Sequence, residues 1–143
     1  MYETLKEEVK LHEGFRDVVY KDSLGKRTIG YGHLCVEDHW EDDKKYEKEY
    51  LDEIFNKDFD NAHHNALTLI ENRPINDVAK EVIIEMVFQL GIGGVSKFKN
   101  MWKALDSEDY GEASFQMLDS LWAKQTPARA GKLAGKMRAA KEA

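Results

Sequence analysis

One cysteine, two prolines and no long apolar run mark this chain of 143 residues. The lone thiol, Cys35, cannot close an internal disulfide, so the fold must rest on its core, as suits synthesis in a reducing compartment. No stretch approaches the roughly 18 apolar residues of a membrane-spanning helix. The opening MYETLKEEVK has no apolar stretch behind a basic start, so neither a secretory signal nor stable membrane binding is expected. Basic residues are in deficit too: 21 Lys and Arg against 27 Asp and Glu leave a net charge of −6. Phosphate backbones are bound by basic faces, so nucleic acid is not an expected partner.

What is present is globular in kind, with 42% hydrophobic and 34% charged residues. The length fits one domain over residues 1–143, expected as a hairpin lobe near 14–58 and a helical lobe near 59–143 that also takes in helix 1–13. Charge is uneven: residues 35–62 carry eleven acids and four bases, whereas residues 122–143 carry one acid and six bases. The C-terminal segment is thus a basic patch on an acidic protein.

Tyr2, Leu5 and Val9 recur at helical spacing and predict a helix over 3–13, with Gly14 to end it. RDVVYKD has the β-branched and aromatic content of a strand, and Asp22 and Gly25 bracket a type I turn. RTIGYGHL then reads as the return strand, with Gly30 and Gly32 leaving one face bare beside Thr28, a mark of close approach by a ligand or backbone. After an acidic connection at 35–45, apolar spacing predicts a helix from about Tyr46 to Ile70, long enough to bridge two lobes. Asn76 or Asp77 can cap a helix through VAKEVIIEMVFQL, which is apolar on nearly all sides and ends at GIGG. Short helices follow near 97–105 and 108–118, the second capped by Ser107. A loop or short turn then holds Trp122, and Thr126 with Pro127 opens a basic last helix to about Lys141.

Three polar residues of the first 34 stand at odd places: Glu13 at the edge of a buried stripe in the last turn of a helix, Asp22 at a hairpin tip, and Thr28 on the return strand. Glycoside cleavage needs an acid that keeps its proton and a second carboxylate across the sugar. Burial and a helix C-terminus both disfavour the Glu13 anion, while Lys21, Lys26 and Arg27 favour an ionised Asp22. Two carboxyls pushed apart in this way define an acid and a base. The plain alternative is a solvated glutamate and ordinary turn chemistry. Asp60 and His64 share a helix face, but no third ligand has suitable spacing, so no metal is expected.

The spacing Glu13, Asp22, Thr28, followed by IGYGHL, resembles the catalytic signature of the T-even-type bacteriophage lysozymes, glycoside hydrolase family 24. EMVFQLGIGGVSKF resembles the central helix and following turn of that family, and WAKQTPARA is close to its Trp–Gln-Thr-Pro–Arg element. The resemblance implies an α+β, mainly α, lysozyme-like fold with a cleft between two lobes joined by a long helix. It implies hydrolysis, without a cofactor, of the β-1,4 bond between N-acetylmuramic acid and N-acetylglucosamine in peptidoglycan. By the same resemblance Glu13 is the general acid, Asp22 the base that activates water with inversion, and Thr28 the residue that positions that water. Arg129 matches the arginine that pairs with the catalytic glutamate. Gly32, Leu34 and Phe88 match positions lining the sugar groove, and His33 and Asp58 match a structural ion pair.

Departures from the family pattern are specific. Residues 35–46 are shorter than the family's equivalent, which carries an extra small helix, so a shallower outer groove is expected. Met101 and Gln116 stand where the family has Ser and Asn as glycan contacts. A lytic transglycosylase on the same scaffold would not need Asp22, and a non-catalytic glycan-binding virion module would not need Glu13, Asp22 and Thr28 together. The reading that results is a monomeric phage endolysin, held in the host cytoplasm until a holin gives it access to the periplasm and wall.

Overall fold

The computed structural model describes residues 2–142. In chain order the elements are α1 (Glu3–Glu13), β1 (Arg16–Lys21), β2 (Arg27–Gly30), β3 (His33–Leu34), α2 (Lys48–Ile70), α3 (Asp77–Ser96), α4 (Lys99–Asp106), α5 (Tyr110–Leu118), α6 (Leu121–Gln125) and α7 (Pro127–Ala139), closed by a 3₁₀ turn at Ala140–Glu142. Helices and one small antiparallel sheet make this the expected mainly helical α+β class. Two compact units divide the chain, Met1–Asn61 and Ala62–Ala143, with the boundary inside α2.

In the first unit, Leu5 and Val9 are 2% and 0% exposed, the buried stripe expected of α1. The helix ends at Gly14, whose φ of 75° suits a residue without Cβ and whose amide donates to the Lys10 carbonyl. The sheet has the order β1-β2-β3. RTIGYGHL is therefore not one return strand. The chain pairs β2 with β1, reverses through Tyr31 and Gly32, and pairs β3 back on β2 with Thr28 opposite Leu34 and Ile29 opposite His33. Gly30 and Gly32, at φ 65° and 81°, supply the left-handed backbone of that reversal and not a bare strand face. The core-facing side of the sheet places Ile29 with Trp40 and Leu51, and Val19, Cys35, Tyr46 and Ile54 pack around them. Residues 35–46 form turns and no helix, and Trp40 packs there against the tilted His39 ring at 4.3 Å and edge-on to Tyr46 at 4.9 Å between ring centroids.

In the second unit, α3 is apolar on nearly all sides, and Val82, Ile83, Ile84 and Met86 are fully buried. Burying a side chain of this kind contributes roughly 1.5–3 kcal/mol. Asn76 caps the helix by accepting from the Ala79 amide at 3.0 Å. GIGG acts as a break: Gly91 leaves helical geometry at φ 78°, and one more helical stretch follows to Ser96. α5 packs on α4 and α7, and the buried Ser114 hydroxyl donates to the Ala134 carbonyl at 2.7 Å. Its cap is Asp109, which accepts from Glu112 N at 3.0 Å, and not Ser107, which closes α4. Trp122 lies on the five-residue helix α6 and not in a loop, because Ser120 caps it by accepting from Ala123 N. Pro127 begins α7 as expected, but the Thr126 hydroxyl donates backward to the Trp122 carbonyl and caps nothing.

Candidate active site

Glu13 is the last residue of α1, half-buried, and its carboxylate lies against Gly32. A Cβ on Gly32 would come within 2.6 Å of Glu13 Oε1. The reversal between β2 and β3 thus brings a residue without a side chain to the carboxylate at the end of α1.

Asp22 closes the hairpin between β1 and β2. Its Oδ1 accepts from the amides of Leu24 and Lys26, both at 2.9 Å, while its carbonyl accepts from Gly25 N. Asp at the first position of such a turn is favoured because its side chain satisfies these amides. The second oxygen, Oδ2, takes no hydrogen bond from the described residues, so one carboxylate oxygen anchors the turn and the other is available for chemistry.

Thr28 is the middle of one rung across the sheet, between Tyr20 on β1 and Leu34 on β3. Opposed residues on antiparallel strands point to the same face. Thr28 is 3% exposed, and its hydroxyl donates to the Lys26 carbonyl at 3.0 Å, which leaves the oxygen's lone pairs as acceptors. Tyr20, which the sequence alone did not single out, sits under the Arg16 guanidinium at 4.9 Å. Its phenol is held above the ordinary tyrosine range, first by burial and then by the charges of Glu13 and Asp22. One ring is therefore within electrostatic reach of both carboxylates.

The opposite face of the sheet is structural. His33 Nδ1 lies 2.7 Å from Asp58 Oδ2 and Nε2 lies 3.1 Å from Glu37 Oε1. Trp40 Nε1 donates to the same Glu37 oxygen at 2.7 Å. The Asp58 hydrogen bond leads in raising the His33 pKa to about 9, and the Trp40 hydrogen bond leads in lowering that of Glu37 to about 2. Glu37 was hidden in a run of exposed acids, and only its nearness to Trp40 in sequence hinted at a partner.

In the second unit, Arg129 on α7 donates from Nε to Oε2 of Glu85 at 3.1 Å. Glu85 has no exposed side chain and Arg129 only 10%, so this is a buried ion pair between α3 and α7. Trp122 Nε1 donates to Gln89 Oε1 at 3.0 Å, which ties α6 to α3. Met101 and Gln116 meet in a pocket of about 430 Å³ with Phe98, Ser120, Trp122 and Gln125. Phe88 is half-buried on α3. Among the described residues no group of three His, Cys, Asp or Glu side chains could hold a metal ion.

A mainly helical α+β fold with a carboxyl at the end of α1, a second in the β1–β2 turn and a threonine on β2 defines the class. The family profile described as "Phage lysozyme" matches residues 10–142. "Probable T4-type lysozyme 2" of Dictyostelium discoideum is 30% identical over 158 residues, covering 93% of this chain and 92% of that protein. "Probable T4-type lysozyme 1" of the same organism is 29% identical over 161 residues, with the same coverage of both chains. The "Pre-baseplate central spike protein Gp5" of Enterobacteria phage T4 is 30% identical over 154 residues, 91% of this chain but 27% of the spike protein. The chain belongs to the phage lysozyme family, in its T4 type, and so stands with the lysozyme-type peptidoglycan hydrolases.

Proposed function

We propose that the protein hydrolyses peptidoglycan at the β-1,4 bond between N-acetylmuramic acid and N-acetylglucosamine, with inversion at the anomeric carbon. The reading rests on β2 and the turns at its two ends, which hold Thr28, Asp22 and Gly32, with Gly32 making room for the Glu13 carboxylate. Glu13 donates its proton to the leaving glycosidic oxygen. A water attacks from the other face of the sugar, as inversion requires. Asp22 Oδ2, clear of the turn's hydrogen bonds, takes the proton of that water, and the Thr28 oxygen accepts from its second hydrogen.

Leu34, 42% exposed on the Thr28 rung, and Gly32 supply glycan contacts on the sheet. Phe88, Met101 and Gln116 supply further contacts. The shared pocket of Met101 and Gln116 supports that role, although Met101, 1% exposed, acts as its floor. Host lysis is the biological reading: accumulation as a monomer in the host cytoplasm, then release to the wall through a holin pore. The likeness to a spike protein favours a second reading, a non-catalytic glycan-binding module of a virion.

Clearing of outer-membrane-permeabilised cells, with Glu13→Gln beside the natural protein, tests the reading. Released sugars are analysed for mass and anomeric form. Reducing ends of inverted configuration are expected. Products of 1,6-anhydro form would identify a transglycosylase, and clearing by Glu13→Gln would remove Glu13 from the chemistry.

A further inference from the structure

The second unit carries a pocket of about 300 Å³ lined by Leu69, Arg73, Ser96, Lys99, Lys103 and Asp106 over Trp102. Only five Lys and Arg lie between residues 63 and 121, and three of them line this pocket. Arg73 is held rigidly. Its Nε lies 2.6 Å from Asp106 Oδ1, its Nη1 donates to the Leu69 carbonyl, and its guanidinium lies 4.6 Å over the Trp102 ring. These contacts leave Nη2 as a preset donor. Lys99 and Lys103 have no ion-pair partner among the described residues.

The placement of the two lysines works against the helix that carries them. They are four apart on α4, where like charges repel, and Lys99 is its first residue, where the helix dipole disfavours a cation. Residues that break local rules without a compensating partner mark sites where something else is gained. Two exposed ammonium groups beside a fixed guanidinium form a set of donors suited to a tetrahedral oxyanion. Trp102 is 6% exposed and covered by Arg73, so the pocket offers charge and no stacking surface. Asp106, the sole acid of the lining, is already matched to Arg73.

We propose that this pocket binds a phosphate group, as inorganic phosphate or as a phosphoester on a larger molecule. Every residue of its lining belongs to the second unit. On a protein of net charge −6 it provides a local anion receptor that general electrostatics would not.

The test is a ¹⁵N NMR titration of the whole protein with sodium phosphate against sodium chloride at matched ionic strength. Saturable shifts at residues 96–106 and at Arg73 Nε are expected with phosphate only. Lys99→Gln/Lys103→Gln should weaken binding about tenfold or more, the scale of one lost charge-assisted hydrogen bond. Its melting temperature should be unchanged or higher, because the repulsion on α4 is relieved. Arg73→Lys, which keeps the charge but loses the fork, should also weaken binding. Two further arms identify the source: a soluble glycerol phosphate oligomer and vesicles containing phosphatidylglycerol. Tighter binding than inorganic phosphate in either arm, abolished by the double lysine variant, assigns that source and supports the site. Unsaturated shifts, shifts centred on α7, equal response to chloride, or binding that survives the double variant would overturn it.

Discussion

The carboxylate of Glu13 occupies the space that any side chain on Gly32 would need, with Oε1 only 2.6 Å from where a Cβ would stand. Gly32 also sits at φ 81°, where an L-residue is strained. Gly32→Ala is therefore expected to cost about 1 kcal/mol or more in stability and to push the carboxylate out of place. Misplacing a catalytic group by about 1 Å can cost about a hundredfold in rate. The loss should fall on kcat more than on KM. A variant that keeps the natural rate would show that this contact does not position Glu13.

The proposed function gives Asp22 a second task beside its hold on the turn, so the choice of substitution separates them. Asp22→Asn keeps an Oδ1 acceptor for the Leu24 and Lys26 amides. Its melting temperature should stay near that of the natural protein while hydrolysis falls by about 10²–10⁴-fold, the usual worth of a general base. Asp22→Ala should lose rate and also loosen the turn. Equal melting temperatures for the two variants would mean that the turn does not depend on Oδ1.

The Asp58–His33–Glu37–Trp40 chain predicts how stability follows pH. His33, raised from 6.5 to about 9, contributes stability that is complete below about 6.5 and lost as pH rises through 9. Glu37, lowered from 4.5 to about 2, contributes stability present above 4.5 and lost as pH falls toward 2. Thermal melts across pH should show a plateau between those limits. His33→Gln should flatten the alkaline limb, and an unchanged limb in that variant would assign it to other groups.

Glu85 and Arg129 make the opposite case, a charge pair taken out of water. Removing either member alone should cost about 3–5 kcal/mol, the scale of breaking a buried ion pair. Replacing both, as Glu85→Met/Arg129→Met, should recover much of that loss. Denaturant unfolding of the two single variants and the double closes the cycle. Additive losses would show that the two residues do not act as a pair.

Much of the fold was legible because its long elements obey simple periods. Leu5 and Val9 announced α1, and the apolar spacing from Leu51 to Ile70 announced α2. Misreadings cluster where two physical devices share one pattern. Gly30-Tyr31-Gly32 looks like strand alternation, since a spacing of two suits either a strand face or a tight reversal, and only the sign of φ tells them apart. Ser107 and Asp109 are both good caps, and the choice between them fell to where α4 stopped. α6 is five residues long, too short for a period to show. At the candidate site, the family resemblance drew attention to Asp22 and Thr28, whereas it drew none to Tyr20, Glu37 or Glu85. Each of those acquires its meaning from a partner that only folding supplies: Thr28 across the rung, His33 on β3, Arg129 on α7.

One unbroken helix, α2, runs through the boundary between the two compact units at Asn61 and Ala62. Backbone amides inside a helix are bonded within it and are poor targets for a protease, which cuts extended and exposed chain. Digestion should therefore spare the junction and nick the turn-rich segment 35–46 first. The same geometry bears on descent. A unit that ends halfway along a helix cannot be exchanged as a module, since a recombination point there would have to preserve the helical phase of both halves.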